Sequence, residues 1–590
     1  MDDFIFGTLA SDELRLGHVR ANRAGVTHRS ARFPRDPLPG QPIQLELAVG
    51  PAHFCDRAWV YWTTDGSDPS GELGVPRQGW AASMELISVE WDTLLWGYIR
   101  RFQVVLPGLP AGTILRYRLA AARPAEEIFA DGGAFYACYV ADDPLPGWAY
   151  DAVVYQVFVD RFSPGEGRTW RQPETPAGFY GGTLRGIYEQ LDYIAGLGAN
   201  VLWLTPIFAS PSHHGYDATD LFEIEPRLGT KEVLRLLLDG AHARGLRVLL
   251  DFVPNHVSSL HASFQSAARN PNSPHVSWYD FRRWPDDYES FFGVKELPQL
   301  NLRHPPARQH ILDAARYWLE FGVDGYRLDY AIGPTPDFWA DFRRVTRSVR
   351  PDCWTFGEVV EPSDTQIAFT GLLDGCLDFM LLEALRQTFA FGRWSAAGFL
   401  DFLDRHEVFF PPDFSRPCFL DNHDMNRFLW VARGDIRRLK IAALCQFTLA
   451  GPPVIYYGTE VGLSQERDVR QGQHGVPEES RLPMLWDGDQ DPRLLAFYSD
   501  LAALRRQEAC LRRGARRSLW AGQDSLAYAR ELDGRQVVTV INSAPETQRV
   551  WLDGSWTSVA LASEAGCELH FEAGRLYVNL PPLSGVILKD

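Results

Sequence analysis

Between residues 152 and 460 the chain repeats one unit eight times: a short, nearly continuous apolar run, then a stretch long enough for a helix. The runs are "AVVYQVFV", "ANVLWLTP", "LRVLLDFVP", "VDGYRLD", "CWTFGEVV", "CLDFML", "RPCFLDN" and "PPVIYYGTE". Such runs read as strands buried on both faces, as parallel strands are. The stretches between them carry the helical period. In "TKEVLRLLLDGAHARG", Thr230 can cap the start, Val233, Leu234, Leu237, Leu238 and Ala241 make one apolar stripe, and Gly245 ends it. Eight strand–helix units predict an α/β fold, a closed (β/α)8 TIM barrel rather than an open doubly wound sheet. No G-x-G-x-x-G or Walker loop follows any run, which argues against nucleotide binding.

The flanks have a different rhythm. In residues 1–145, "QPIQLELAV", "DRAWVYWTTDG", "RRFQVVLPG" and "TILRYRLAAA" alternate apolar and polar residues between Gly, Pro and Asp, which predicts an N-terminal β-sandwich. "DDPLPGW" (142–148) is the expected linker into the barrel unit, 146–514. Residues 515–590 return to β patterning, with a hairpin in "SLAYARELDGRQVVTVIN" turning at Asp533-Gly534, and predict a C-terminal β-sandwich. Three units suit 590 residues at about 100–200 residues per domain. After the third strand comes an insertion, about residues 257–303, rich in aromatics, prolines and acids. Connections of that size in compact domains are usually functional, so part of it is expected to wall a cleft.

Bulk composition narrows the partners. The 58 Lys and Arg against 75 Asp and Glu leave a net charge of −17, which argues against a nucleic acid. No segment is apolar enough to span a membrane, and "MDDFIFGTLASDELRLGHVR" shows no basic n-region followed by a long apolar stretch, so no leader is expected. The eight cysteines (55, 138, 353, 376, 418, 445, 510, 567) are scattered without a C-x-x-C pair and read as reduced thiols in a cytoplasmic protein. Of the 19 tryptophans, Trp59 and Trp62 suit core packing better than stacking on a ligand.

The chemistry gathers at the strand ends. A barrel of this kind presents its reactive groups at the C-terminal ends of its strands. There stand Asp251 and His256 after the third, Asp329 after the fourth, Glu358 after the fifth, and "DNHD" (421–424) after the seventh. Mutually repelling carboxylates cost stability, so the cluster as a whole reads as functional, although any one acid could be a cap or an ion-pair partner. Paired carboxylates suit glycoside hydrolysis: one attacks the anomeric carbon while its protonated partner serves the leaving oxygen. Arg327 and Asp329 share a strand face, which suits a cation that keeps the attacking carboxylate ionised.

The chain resembles the α-amylase superfamily, glycoside hydrolase family 13, over residues 148–590. "DFVPNH" (251–256), "GYRLD" (325–329), "GEV" (357–359) and "FLDNHD" (419–424) match its four signature stretches in order. "HGYDATDLFEIEPRLGT" (214–230) and "ELPQLN" (296–301) resemble two further familiar segments. The resemblance implies Asp329 as nucleophile, Glu358 as general acid/base and Asp424 as transition-state stabiliser. It implies Arg327, His256 and His423 as hydrogen-bonding groups, Tyr216 as the platform beneath the reacting sugar, and Asp217 as support. Arg427 would hold Asp424 or a neighbouring hydroxyl, with a purely structural salt bridge equally open.

The sandwich-then-barrel order resembles the neopullulanase, cyclomaltodextrinase and maltogenic amylase branch. That implies a carbohydrate-binding-module-like first domain, and leaves a homodimer open. Three features depart from the branch. Ile332 and Gly333 stand where many members carry a Lys-His pair against the acceptor sugar. The loop "DRFSPGEGRTWRQPE" lacks the Asn/Asp cluster that binds calcium, and Thr183 replaces a frequent aspartate, so no cofactor is expected, with Asn255 a weaker calcium candidate. "ELPQLN" is not the branch's usual sequence. The expectation is a retaining hydrolase of α-1,4 bonds in maltooligosaccharides or cyclodextrins, with transglycosylation. The alternatives are a dedicated glucanotransferase or isomerase, and an inactive carbohydrate-binding scaffold.

Overall fold

The structure, a computed structural model, describes residues 12–123, 126–142, 145–470, 477–486, 488–554, 556–572 and 574–589. The expected linker at 142–148 thus lies partly outside the described residues, as does the start of the chain.

Seven of the eight apolar runs contain a strand and the sixth overlaps one at Cys376: β1 Val154–Val157, β2 Val201–Leu204, β3 Arg247–Phe252, β4 Gly325–Leu328, β5 Trp354–Gly357, β6 Gly375–Cys376, β7 Cys418–Phe419 and β8 Pro453–Tyr456. They pair in parallel in the order β6-β5-β4-β3-β2-β1-β8-β7. The ring closes between β6 and the approach to β7, where Ser415 N donates to Asp374 O (2.8 Å) and Cys376 N to Ser415 O (3.1 Å). The expected helix is Lys231–Ala243. Thr230 caps it by accepting from Val233 N, and Leu234, Leu237, Leu238 and Ala241 are buried.

The sixth run departs from expectation. Its strand is only two residues long, and Phe379–Leu385 is a helix whose start Asp378 caps by accepting from Leu381 N at 2.9 Å. A short apolar run reads alike as buried strand or buried helix, and here the capping aspartate tips the balance.

Strand alternation sorts the core into two layers. Val154, Val201, Trp203, Leu249, Trp354, Phe356 and Val454 cluster together inside the barrel. Tyr155, Leu202, Leu204, Leu250 and Leu328 belong to the cluster between strands and helices. The same alternation turns Gln156, Asp251 and Arg327 inward. Register places Asp251 beside Arg327 on the neighbouring strand.

The flanks are paired antiparallel sheets, as expected. Ile43–Val49 and Gly97–Leu106 lie in one N-terminal sheet, Arg57–Thr63 and Thr113–Arg123 in the other. Trp59 and Trp62 are half-buried on the second. A helix, Asp12–Ala24, precedes them without having been expected. The N-terminal unit is joined to the barrel helix Pro336–Val349 through Arg116–Asp341 (2.9 Å) and Asp36–Arg343 (3.0 Å). Toward the C-terminus, Ser525–Leu532 and Arg535–Asn542 form the hairpin, with Asp533 and Gly534 at φ 50° and 79°. All eight cysteines are free, seven of them buried. Among the described residues no helix is long and apolar enough to cross a membrane.

Candidate active site

A cavity of about 600 Å³ opens at the C-terminal ends of the strands, with Asp329, Glu358, Asp424, Tyr216 and His256 in its wall. Arg327 organises the floor from full burial. Its Nη1 donates to Asp251 Oδ1 (2.6 Å) and Asp329 Oδ1 (2.9 Å). Its Nη2 lies 2.6 Å from Glu358 Oε1, close enough for strong attraction yet misaligned for a hydrogen bond. The carboxylates reach this cation because Asp329 is two residues beyond Arg327 on one strand, while Glu358 is two beyond the inward Phe356 on the next.

The second half of the site is a polar chain. Tyr216 Oη donates to Asp251 Oδ2 (3.0 Å) and meets His423 Nε2 at 2.5 Å; the two rings stack 5.4 Å apart. His423 Nε2 is 3.0 Å from Asp424 Oδ2, and Gln156 Nε2 meets its Nδ1 at 2.9 Å. Arg481 Nη2 donates to Asp424 Oδ1 at 2.8 Å, and its Nε to His423 O at 2.8 Å. Asp217 stands behind the cavity wall. It accepts from Ser210 Oγ at 2.6 Å and from Ser212 Oγ, which steadies the loop carrying His214.

Burial and neighbours drive these carboxyls apart. Burial, with help from Asp329 and Asp424 and against Arg327, pushes Glu358 up to about 8. Burial and Asp424 raise Asp329 to about 6, against the charge of Arg327 and the hydrogen bond it donates. Asp251 rises to about 7 by burial, again against Arg327. Burial would raise Asp424 too, but His423, Arg481 and Arg327 outweigh it and hold that carboxyl well below the usual range. Burial also brings His256 down to about 3, so its ring is neutral near pH 7. The result is one cavity holding protonated and ionised carboxyls at the same pH.

A family model described as alpha amylase, catalytic domain, matches residues 156–492. The chain belongs to the α-amylase family. It is similar to Alpha-amylase 2 of Dictyoglomus thermophilum, 34% identical over 594 residues covering 100% of this chain and 99% of that one. A cyclomaltodextrinase of Geobacillus thermopakistaniensis is 35% identical over 488 residues, 78% of this chain and 81% of its own. A solved cyclomaltodextrinase structure superposes with a TM-score of 0.69 at 26% identity, covering 96% of this chain and 99% of that one. These likenesses place this family member with glycosidases of the cyclomaltodextrinase, neopullulanase and maltogenic amylase type.

Within this α-amylase fold the sequence expectations meet different fates. Asp329, Glu358, Asp424, Arg327, Tyr216, His256 and His423 converge on one site. The structure does not bring Arg427 to Asp424. Its Nη1 donates to Tyr457 O (2.9 Å), and its guanidinium packs 4.5 Å from the Tyr456 ring. Arg481 holds Asp424 instead, from a segment beyond β8 where no motif marks it. Thr183 caps the helix Leu184–Glu189 by accepting from Gly186 N and donates to Pro164 O (2.9 Å). Asn255 Oδ1 accepts from Gln299 Nε2 at 3.0 Å and sits so close to Gly333 that a Cβ there would lie 2.1 Å away, so Gly333 admits it.

The insertion does two jobs. Phe264 packs on Tyr279 (4.9 Å) and Tyr288 (4.8 Å) in a small core of its own. Phe291, against the His256 ring at 4.5 Å, and Phe292 reach the cavity.

Proposed function

We propose that this chain is a retaining glycosidase that hydrolyses α-1,4-glucosidic bonds of maltooligosaccharides or cyclodextrins by double displacement, with transglycosylation alongside. The observation that carries the reading is Arg327 set between two carboxyls that titrate apart, Asp329 toward ionised and Glu358 toward protonated near neutral pH. Asp329 attacks the anomeric carbon as the glycosidic C–O bond breaks, and Glu358 gives its proton to the leaving oxygen. Glu358 then takes a proton from water, which attacks the same carbon and releases Asp329. Asp424, held ionised, supports the positive charge that develops on the ring. Tyr216 offers its ring to the sugar, and neutral His256, together with His423, offers hydrogen bonds. The eight free thiols support a cytoplasmic location. A homodimer is supported by the sheet-edge strand Glu85–Asp92, which exposes Leu86, Ile87, Val89 and Trp91.

The test is a product time course on maltotetraose, cyclodextrin and pullulan, with the first-formed anomer read by NMR. Release of reducing ends with retained configuration supports the reading. Chain-length redistribution without net reducing-end release would establish the glucanotransferase alternative. Unaltered turnover in Asp329→Asn would remove the nucleophile assignment.

A further inference from the structure

The end of the barrel opposite the catalytic cavity holds a second cavity, about 590 Å³, where the approaches to three strands meet the C-terminal unit. Tyr150 precedes β1, Arg416 precedes β7 and Pro452 precedes β8. Arg512, Arg513 and Arg516 come from the entry into the C-terminal unit, and Arg530 from its hairpin strand Ser525–Leu532. Among the described residues, five guanidinium groups thus line one cavity against the single carboxylate of Glu407. The whole chain carries 58 basic residues against 75 acids, so this surplus of cations is local.

Nearby carboxylates use only part of the set. Arg516 is committed, with Nε 2.8 Å from Glu407 and Nη2 2.6 Å from Asp404. Asp151 takes Arg512 Nε (2.7 Å) and Arg513 Nη2 (2.9 Å), and Arg416 Nη1 stands 3.6 Å from Asp378. Among the described residues, Nη2 of Arg416, Nη2 of Arg512 and Nη1 of Arg513 make no hydrogen bond. Arg530 is 1% exposed; its Nε donates to Cys510 O at 3.3 Å, and its buried Nη2 has no hydrogen-bond partner. Burial lowers the pKa of Arg530 despite Glu407, whose Oε1 is 4.0 Å from Nη1. A guanidinium buried short of acceptors costs stability, and a bound anion restores them.

Guanidinium forks match oxyanions in shape as well as in charge. Four arginines with spare donors, on three separate segments, exceed what the two oxygens of one carboxylate can accept. A phosphate group presents three acceptor oxygens and up to two negative charges. Tyr150, Val408 and Phe414 line more of the wall, and the volume leaves room for an organic body beside the phosphate.

We propose that this cavity binds a phosphorylated small metabolite, its phosphate held by Arg416, Arg513 and Arg530 and its body set against Tyr150 and Phe414. The walls belong to the barrel and to the C-terminal unit, so the ligand fastens the two together and stabilises the fold as its concentration rises. The site is independent of the catalytic roles given to Asp329 and Glu358.

Calorimetric titration of the full-length chain at physiological ionic strength tests this, with pyrophosphate, glucose 1-phosphate, ADP and citrate as probes. Saturable binding of a phosphate compound, tighter than citrate, is expected, with a Tm that climbs as that compound is added. The tightest of the three identifies the source as free, sugar-borne or nucleotide-borne phosphate, and each of those outcomes upholds the site. Arg513→Gln is expected to weaken binding at least about tenfold. Val408→Asp puts a carboxylate at an 85% exposed position in the wall and removes no arginine, so it weakens binding likewise should the first variant not fold. Binding of no phosphate compound, citrate as tight as the best of them, or an affinity that neither variant moves overturns the proposal.

Discussion

Arg327 Nη2 stands 2.6 Å from Glu358 Oε1 without a hydrogen bond between them, whereas its Nη1 donates to Asp329 at 2.9 Å. One cation thus anchors one carboxylate and only attracts the other. The hydrogen bond aims Asp329 and opposes the rise that burial imposes, which stops at about 6. Glu358, only attracted and buried among like charges, keeps its proton to higher pH and stays free to pass it on.

The first consequence is a bell-shaped pH dependence of kcat/KM on maltotetraose. Activity needs Asp329 ionised, so it rises as pH passes about 6, and Glu358 protonated, so it falls as pH passes about 8. With a maltosyl fluoride, whose leaving group needs no proton, the alkaline limb is lost from glycosyl-enzyme formation. An unchanged alkaline limb on the fluoride would take the acid role from Glu358.

Stability carries the same signature. The folded chain holds the Glu358 proton more tightly than an unfolded chain with an ordinary carboxyl of 4.5. That contribution is complete below about 4.5 and is lost as pH rises through about 8. Glu358→Gln has no proton to lose, so its Tm relative to wild type climbs across this window, while its kcat falls about 10²–10⁴-fold. A Tm difference that is flat with pH would contradict the burial of an ionisable acid.

Arg481 holds Asp424, and both are buried. The depressed Asp424 carboxyl stabilises the fold above its ordinary range, near 3.8, and that stabilisation is lost as pH falls toward the folded value. Arg481→Met leaves a buried carboxylate short of a partner, costing about 3–5 kcal/mol at neutral pH and less in acid. Arg481→Lys recovers part of it. Chemical denaturation at two pH values measures both effects, and an equal loss at each would refute the pairing.

Arg427 gives the contrasting outcome. It binds a backbone carbonyl and two tyrosine rings rather than the cavity. Arg427→Met therefore lowers Tm, with a loss of about 1–3 kcal/mol, and leaves the KM for maltotetraose nearly unchanged. A large rise in KM with unaltered stability would return Arg427 to the substrate-contacting set.

Much of this was legible in the residues themselves. Eight apolar runs foretold eight strands, Thr230 and Asp533-Gly534 marked a cap and a turn, and acids at the strand ends marked the site, because these signals are local. Asp378 shows the limit. The run around it could be strand or helix, and a capping bond to Leu381 decided for helix. Arg481 shows a different limit, since nothing near it in the chain distinguishes it from the arginines around it. The insertion was expected to wall a cleft, but only the fold shows that Phe292, Val294 and Leu297 are the residues that line it.

The sequence by itself therefore determined the strand–helix rhythm and the gathering of acids at the strand ends, since periodicity, caps and strand-end positions act over a few residues. The tertiary structure decided which arginine holds Asp424, how burial and Arg327 shift Asp329 and Glu358, and which insertion residues line the cavity. Those properties depend on burial and on distances between groups tens to hundreds of residues apart, which exist only once the barrel has closed.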